Sequence, residues 1–197
     1  MKKGCLIIVA IVVIIGLGLF SWVKGAYNGM VESEESVTTA WSNVETQYQR
    51  RADLIPNLVA TVKGYAAHES ETLEAVVAAR SKATQVTIDP SNMTVEQLKE
   101  YQAAQGELST ALGKLIAITE AYPDLKANEN FQELQAQLEG TENRINEARR
   151  SYNEVAQSYN VKIRQFPTNI LAGVFNFNVK EKFAAEAGAE KAPTVEF

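Results

Sequence analysis

The sequence predicts an all-α protein, with an N-terminal transmembrane helix followed by an elongated antiparallel four-helix bundle. Three observations carry this. Residues 4–23 contain no charged side chain. Beyond them, apolar residues recur at three-four spacing over long stretches. The prolines, Pro56, Pro90, Pro123, Pro167 and Pro193, punctuate that pattern.

The uncharged run GCLIIVAIVVIIGLGLFSWV is twenty residues long. As a helix it spans about 30 Å, the thickness of a bilayer's hydrocarbon core. A helix also pairs every backbone group internally, as lipid demands. Lys2 and Lys3 precede the run; Lys24 follows it, and then Glu32, Glu34 and Glu35. The positive-inside bias therefore places residues 1–3 in the cytoplasm and the bundle in the periplasm or outside the cell. A cleaved signal peptide has a shorter apolar region and a small-residue cleavage site, which Trp22-Val23-Lys24-Gly25-Ala26 matches poorly. A lipoprotein needs an apolar region ahead of Cys5, so Cys5 reads as a buried small residue. Trp22 and Tyr27 suit the far interface. Gly16 and Gly18 lack GxxxG spacing, leaving homo-oligomerisation open and unsupported.

Four apolar stripes follow within residues 26–167. The first contains Tyr27, Met30, Val37, Trp41, Val44 and Tyr48; the second, Ile55, Val59, Val62, Ala66, Leu73 and Val76. The third contains Leu98, Tyr101, Leu108, Leu112, Leu115 and Tyr122. The fourth runs from Phe131 through Leu138, Ile145, Tyr152 and Tyr159 to Phe166. Each is the buried face of a helix, and several such faces can be covered only by one another. Asp53 can cap the second helix, placing Pro56 in its first turn. Thr94 with Gln97 resembles a capping box for the third. The boundary near Arg51 is the weakest: the first two helices read either as separate or as one kinked helix continuous with the anchor. In residues 168–197, Ile170, Phe175 and Phe177 can pack on the bundle end. The tail from Lys180 onward reads as mobile or weakly helical, with Ala192-Pro193-Thr194-Val195-Glu196-Phe197 as a frayed end or a docking peptide.

Composition excludes several classes. One cysteine permits no intramolecular disulfide, and one histidine, His68, permits no HExxH metal site. A net charge of −5 opposes nucleic-acid binding. There is no glycine-rich phosphate loop or nucleophile elbow. No cofactor, metal or catalytic residue is expected, and the protein reads as a non-enzyme.

Several runs resemble the LemA family: Ala40-Trp41, Arg50-Arg51-Ala52-Asp53-Leu54-Ile55-Pro56-Asn57-Leu58-Val59, and Val62-Lys63-Gly64-Tyr65-Ala66. So do Tyr122-Pro123-Asp124-Leu125-Lys126-Ala127, Tyr152-Asn153, Tyr159-Asn160 and Phe166-Pro167. The resemblance covers essentially the whole chain. It implies a bacterial, single-pass membrane protein with a helical bundle, and no established activity. Some relatives take part in magnetosome membrane formation and others accompany membrane proteases. Three functions follow in descending order: a membrane-anchored scaffold or interaction protein, an accessory or regulator of a membrane protease, and an enzyme using a Glu/Arg cluster.

The candidate residues are the polar interruptions. Glu69, Arg80, Glu142 and Arg149 lie on or near the stripes, and are expected to form ion pairs inside the bundle, because an unpaired buried charge is costly. Tyr152-Asn153 and Tyr159-Asn160, one heptad apart, read as packed tyrosines whose asparagines bond a neighbouring helix or water. If the bundle runs up and down with a turn near Arg51, then Arg50, Arg51, Asp124 and Lys126 stand in loops at its far end. There they would meet an unidentified protein partner, while lipid surrounds residues 4–23.

Overall fold

The computed structural model describes residues 2–184. The expectations for Lys2, Lys3 and Cys5 and for residues 185–197 lie outside the side chains and segments described. Among the described residues six helices follow one another: α1 (Lys2–Tyr65), α2 (Ser70–Gln85), α3 (Val95–Thr119), α4 (Pro123–Lys126), α5 (Glu129–Arg164) and α6 (Thr168–Val174). The architecture is all-α, as predicted, and α1, α2, α3 and α5 form the bundle.

The first surprise is α1. Its 64 residues form a single helix, about 96 Å long, that carries the apolar N-terminal run straight into the bundle. Of the two readings at Arg51 the continuous one holds: there is no turn there, and Pro56 lies inside the helix. A proline there removes one N–H and orphans the carbonyl four residues earlier, that of Ala52. Arg80 of α2 supplies the missing donor: its Nε lies 2.7 Å from the Ala52 oxygen. The chain reverses instead at residues 66–69, where the three-four pattern runs on from Ala66 to Leu73 with only Glu69 interrupting it. Periodicity reports which side chains are buried and says nothing of a change in direction.

The first part of α1 is exposed and has a mean hydropathy of 2.9, long and apolar enough by length and composition to cross a membrane. From Met30 onward its stripe is buried. Helix α5 pairs antiparallel with it over nearly its whole 36 residues. At one end Lys162 Nζ donates to the Gly29 carbonyl (2.8 Å); at the other, Asn128 Nδ2 donates to the Tyr65 hydroxyl (3.0 Å). The start signal of α3 is as the sequence suggests, whereas Asp53, expected to cap a second helix, lies inside α1 and accepts from Gln49 Nε2 at 2.7 Å. Thr94 and Gln97 form a reciprocal capping box, and the Asn128 side chain accepts from the Phe131 N–H.

Helix α2 has only 16 residues and covers only the distal part of the bundle. Two cores result. The distal core joins Ile55, Leu58, Val62, Leu73, Val76, Leu108, Leu115, Leu125 and Phe131. The proximal core, nearer the apolar run, joins Met30, Trp41, Tyr48, Tyr101, Ile145, Tyr152 and Tyr159 with Ala172 and Phe183 from the C-terminal segment. Over residues 180–184 that segment corrects the expectation of a mobile or weakly helical tail from Lys180. Asn176 takes the left-handed conformation (φ 60°) after α6, and the Phe177 N–H bonds back to the Ala172 carbonyl at 2.9 Å. This is a Schellman-type stop, and asparagine tolerates its geometry. The chain then turns back along α5, and Phe183 becomes 6% exposed.

Candidate functional site

Two polar constructions stand out, a buried arginine between the cores and a clasp that holds the C-terminal segment. Arg51 lies on the α1 stripe midway between Tyr48 and Ile55. It is 2% exposed, so its expected place in a far-end loop is corrected. Its Nη1 donates to Ser109 Oγ (2.7 Å) and to Glu142 Oε2 (2.9 Å). Its Nη2 donates to the Gln105 side-chain oxygen (2.7 Å) and main-chain oxygen (3.1 Å). The guanidinium carbon lies 5.2 Å from the centre of the Tyr48 ring. Gln105 in turn donates to the Ala83 carbonyl at the end of α2 (3.2 Å). One side chain thus ties α1 to α3 and α5, and through Gln105 to α2. The planar fork of arginine suits several fixed acceptors at once. A small cavity of about 100 Å³ lies beside it, bounded by Gln102, Ser109, Glu142 and Arg149 among others.

The four charges expected to cross-pair have other partners. Glu142 meets Arg51 and remains half exposed. Glu69 accepts from the Tyr122 hydroxyl at 2.9 Å, which holds that phenol above its usual pKa. Arg80 stitches the Pro56 gap. Arg149 lies over the Phe183 ring at 5.0 Å and reaches towards the Ala184 carbonyl. The principle behind the expectation, that charges on a stripe acquire partners, applies to Arg51; the partner assignments did not follow from spacing. Arg50, Asp124 and Lys126 are exposed. Lys126 pairs with Glu120 at 2.6 Å. Arg50 is not at the bundle tip: it precedes Tyr65 by fifteen residues, about 22 Å along α1.

The clasp uses Asn153 and Asn160. Asn160 donates to the Lys180 carbonyl (2.8 Å) and accepts from the Lys180 N–H (2.8 Å). Asn153 does the same to Phe183, at 3.0 and 2.8 Å. Each carboxamide presents one donor and one acceptor, as a neighbouring strand would. The spacing follows from geometry. Seven residues of helix rise about 10.5 Å, and three residues of extended chain span about 10 Å. Tyr152 adds a hydrogen bond from its hydroxyl to the Glu181 carbonyl at 2.8 Å. Burial pushes that phenol up to about 12.

Two side chains of the segment enter the bundle. Phe183 stacks on Trp41 (centroids 5.6 Å apart, planes at 12°) and meets Tyr152 edge-on. Lys180, 6% exposed, forms an ion pair with Glu34 at 2.7 Å and donates to the Ser91 carbonyl at 3.1 Å. Glu34, the acidic interruption of the first stripe, thus has a partner 146 positions away in sequence. Sequence reasoning found the asparagine pair but missed its target. Lys180 and Phe183 stand in a stretch whose composition resembles a loose tail. Arg51 did carry a signal, since it falls in the three-four register between Tyr48 and Ile55.

Comparison with known proteins places this geometry in a family. The model of the LemA family matches residues 40–197. Magnetosome protein MamQ 2 of Paramagnetospirillum magneticum (strain AMB-1) is 29% identical over 174 residues, covering 80% of this chain and 64% of that protein. MamQ of Magnetospirillum gryphiswaldense gives the same figures. Protein LemA of Metamycoplasma hominis is 28% identical over 160 residues, covering 81% of this chain and 69% of that protein. The chain spans about 64% of the length of the magnetosome relatives it matches. With most of the bundle and all of the clasp inside the matched residues, the chain belongs to the LemA family.

Proposed function

We propose that this protein is a membrane-tethered scaffold that works by contact, holding the outer surface of its bundle at a fixed height and orientation above a bilayer. The observation that carries this reading is the continuity of α1: the helix containing the apolar run is the same helix that supplies Trp41 to one core, Ile55 to the other and Arg51 between them. A tether that only confined the domain to the surface would need no such rigid join. The polar side chains support the same reading. Arg51 is engaged by protein groups, and the buried Tyr152 phenol stays protonated far above neutral pH. Arg50, Asp124 and Lys126 remain as exposed groups for a protein partner. The lysines before the span and the acids after it favour a cytoplasmic N-terminus with the bundle on the other side.

Two measurements test this. Protease added to spheroplasts should digest the bundle; full protection of a variant with an accessible cleavage loop would reverse the orientation. Photo-crosslinkers at Arg50, Asp124 and Lys126 should give defined products in native membranes. A short Gly/Ser insertion after Lys24 should erase those products while helicity and membrane retention persist. Products unchanged by the insertion would refute the fixed-height scaffold.

A further inference from the structure

We propose that α6 and the residue pair before it form a second, interfacial contact with the same bilayer that α1 crosses, with Phe166, Ile170 and Val174 inserted among the lipid headgroups and upper acyl chains. This rests on the membrane-anchor reading above. Residues 165–179, Gln-Phe-Pro-Thr-Asn-Ile-Leu-Ala-Gly-Val-Phe-Asn-Phe-Asn-Val, contain no charge, although 22% of the chain is charged. One side of α6 is used internally: Ala172 is buried and Leu171 packs on the proximal core. The opposite side is apolar and bare. Phe166, expected to end the buried fourth stripe, is 82% exposed; Ile170, expected to pack on the bundle end, is 58% exposed, and Val174 is 72% exposed. Ile170 and Val174, four apart, share one face of α6, and Phe166 stands in the turn that precedes the helix. A soluble surface seldom leaves such residues together without a partner.

The position of this face identifies the occupant. Phe175 and Phe177 meet Tyr27 of α1 edge-on, with ring centroids at 4.9 and 5.7 Å. Tyr27 lies four residues, about 6 Å, beyond the end of the uncharged run at Val23. The headgroup layer is of that order on each side of the hydrocarbon core. Helix α5 approaches the same level, since Lys162 bonds the Gly29 carbonyl and only two residues of helix remain before α6 is reached. Lys24, three residues before Tyr27, and Arg164, two before Phe166, are both exposed, and basic groups at this level suit phosphate headgroups. An interfacial helix buries its apolar face about 5–10 Å into the headgroup and acyl boundary, a depth this placement allows. Two attachments, one spanning and one lying in the interface, would fix the tilt of the bundle as well as its height.

The test uses the full chain with Cys5→Ser in phosphatidylcholine/phosphatidylglycerol liposomes and nitroxide labels at single new cysteines. Labels at Phe166→Cys, Ile170→Cys and Val174→Cys should collide with oxygen severalfold more, relative to a water-soluble nickel chelate, than a label at the distal exposed Val77→Cys. A label at Leu17→Cys reports the anchor itself. If Leu17 is in lipid while all three α6 labels are as accessible to nickel as Val77, the interfacial contact is refuted and the anchor reading stands. If Leu17 is in water, both fail. Dipolar broadening at the α6 labels that disappears on dilution with unlabelled protein would identify a second copy as the occupant and overturn the lipid assignment.

Discussion

The distal and proximal halves of the bundle solve the same packing problem with different means. In the distal half, α2 closes the space beside α1 and α3, and its contribution is apolar: Leu73, Val76, Ala79 and Ala83. In the proximal half α2 has already ended, and an extended segment fills the groove. An extended chain cannot pair its own N–H and C=O groups, so burying it requires outside partners. Asn153, Asn160 and Tyr152 provide them. The lesson is that a bundle can be completed by backbone as well as by a helix, provided a helical face carries carboxamides at the strand's repeat. Arg51 stands where the two solutions meet and belongs to neither core.

Four predictions would break or sharpen this comparison, using the full chain in micelles, with denaturant melts and hydrogen exchange as readouts. The largest effect is expected in the distal half. Phe131, 1% exposed, sits among helices that cannot leave independently. Phe131→Ala should cost about 4 kcal/mol. A loss below about 1 kcal/mol would mean that the distal core collapses around the void.

Next comes the join. Arg51→Ala removes a buried guanidinium and its bonds to three residues, at a cost of about 3 kcal/mol. It should also split unfolding into separate proximal and distal transitions by hydrogen exchange. A single transition with unchanged midpoint would show that the cores are coupled without the arginine.

The clasp should be cheaper to break, because the segment can release into water. Asn153→Ala should cost about 1.5 kcal/mol, the value of its paired bonds to Phe183. Amides of residues 180–183 should lose protection while those of α2 keep theirs. Equal loss in both places would contradict the independence of the two halves.

The smallest effect at neutral pH is electrostatic and appears only in alkali. Burial raises the Tyr101, Tyr152 and Tyr159 phenols, Tyr152 to about 12 and the other two further. The folded state therefore holds protons that the unfolded state loses near pH 10, so stability is full below that value and falls as pH rises through about 12. Since all three belong to the proximal core, α5 near Tyr159 should open before α2 does. Phenolate absorbance rising with the ordinary tyrosine pKa while helicity persists would refute the burial.

The sequence by itself determined the helical class, the apolar run, the start of α3 and the middle of each stripe, while the stripe ends Tyr27 and Phe166 are exposed. These depend on periodicity and caps, which are local. It also carried the resemblance to the family. Only the tertiary structure decided where the chain reverses and which polar groups meet. Pro56 reads locally as a helix start, and becomes a helix interior because Arg80, from another helix, bonds the carbonyl it leaves open. Lys180 and Phe183 read locally as a loose tail, and become core because the groove beyond the end of α2 offers Glu34, Trp41 and two asparagines at the right spacing. In both places the deciding partner lies far away in sequence. Even the cost of about 3 kcal/mol for a proline inside a helix yields where a distant group satisfies the orphaned carbonyl and the helix buries its stripe.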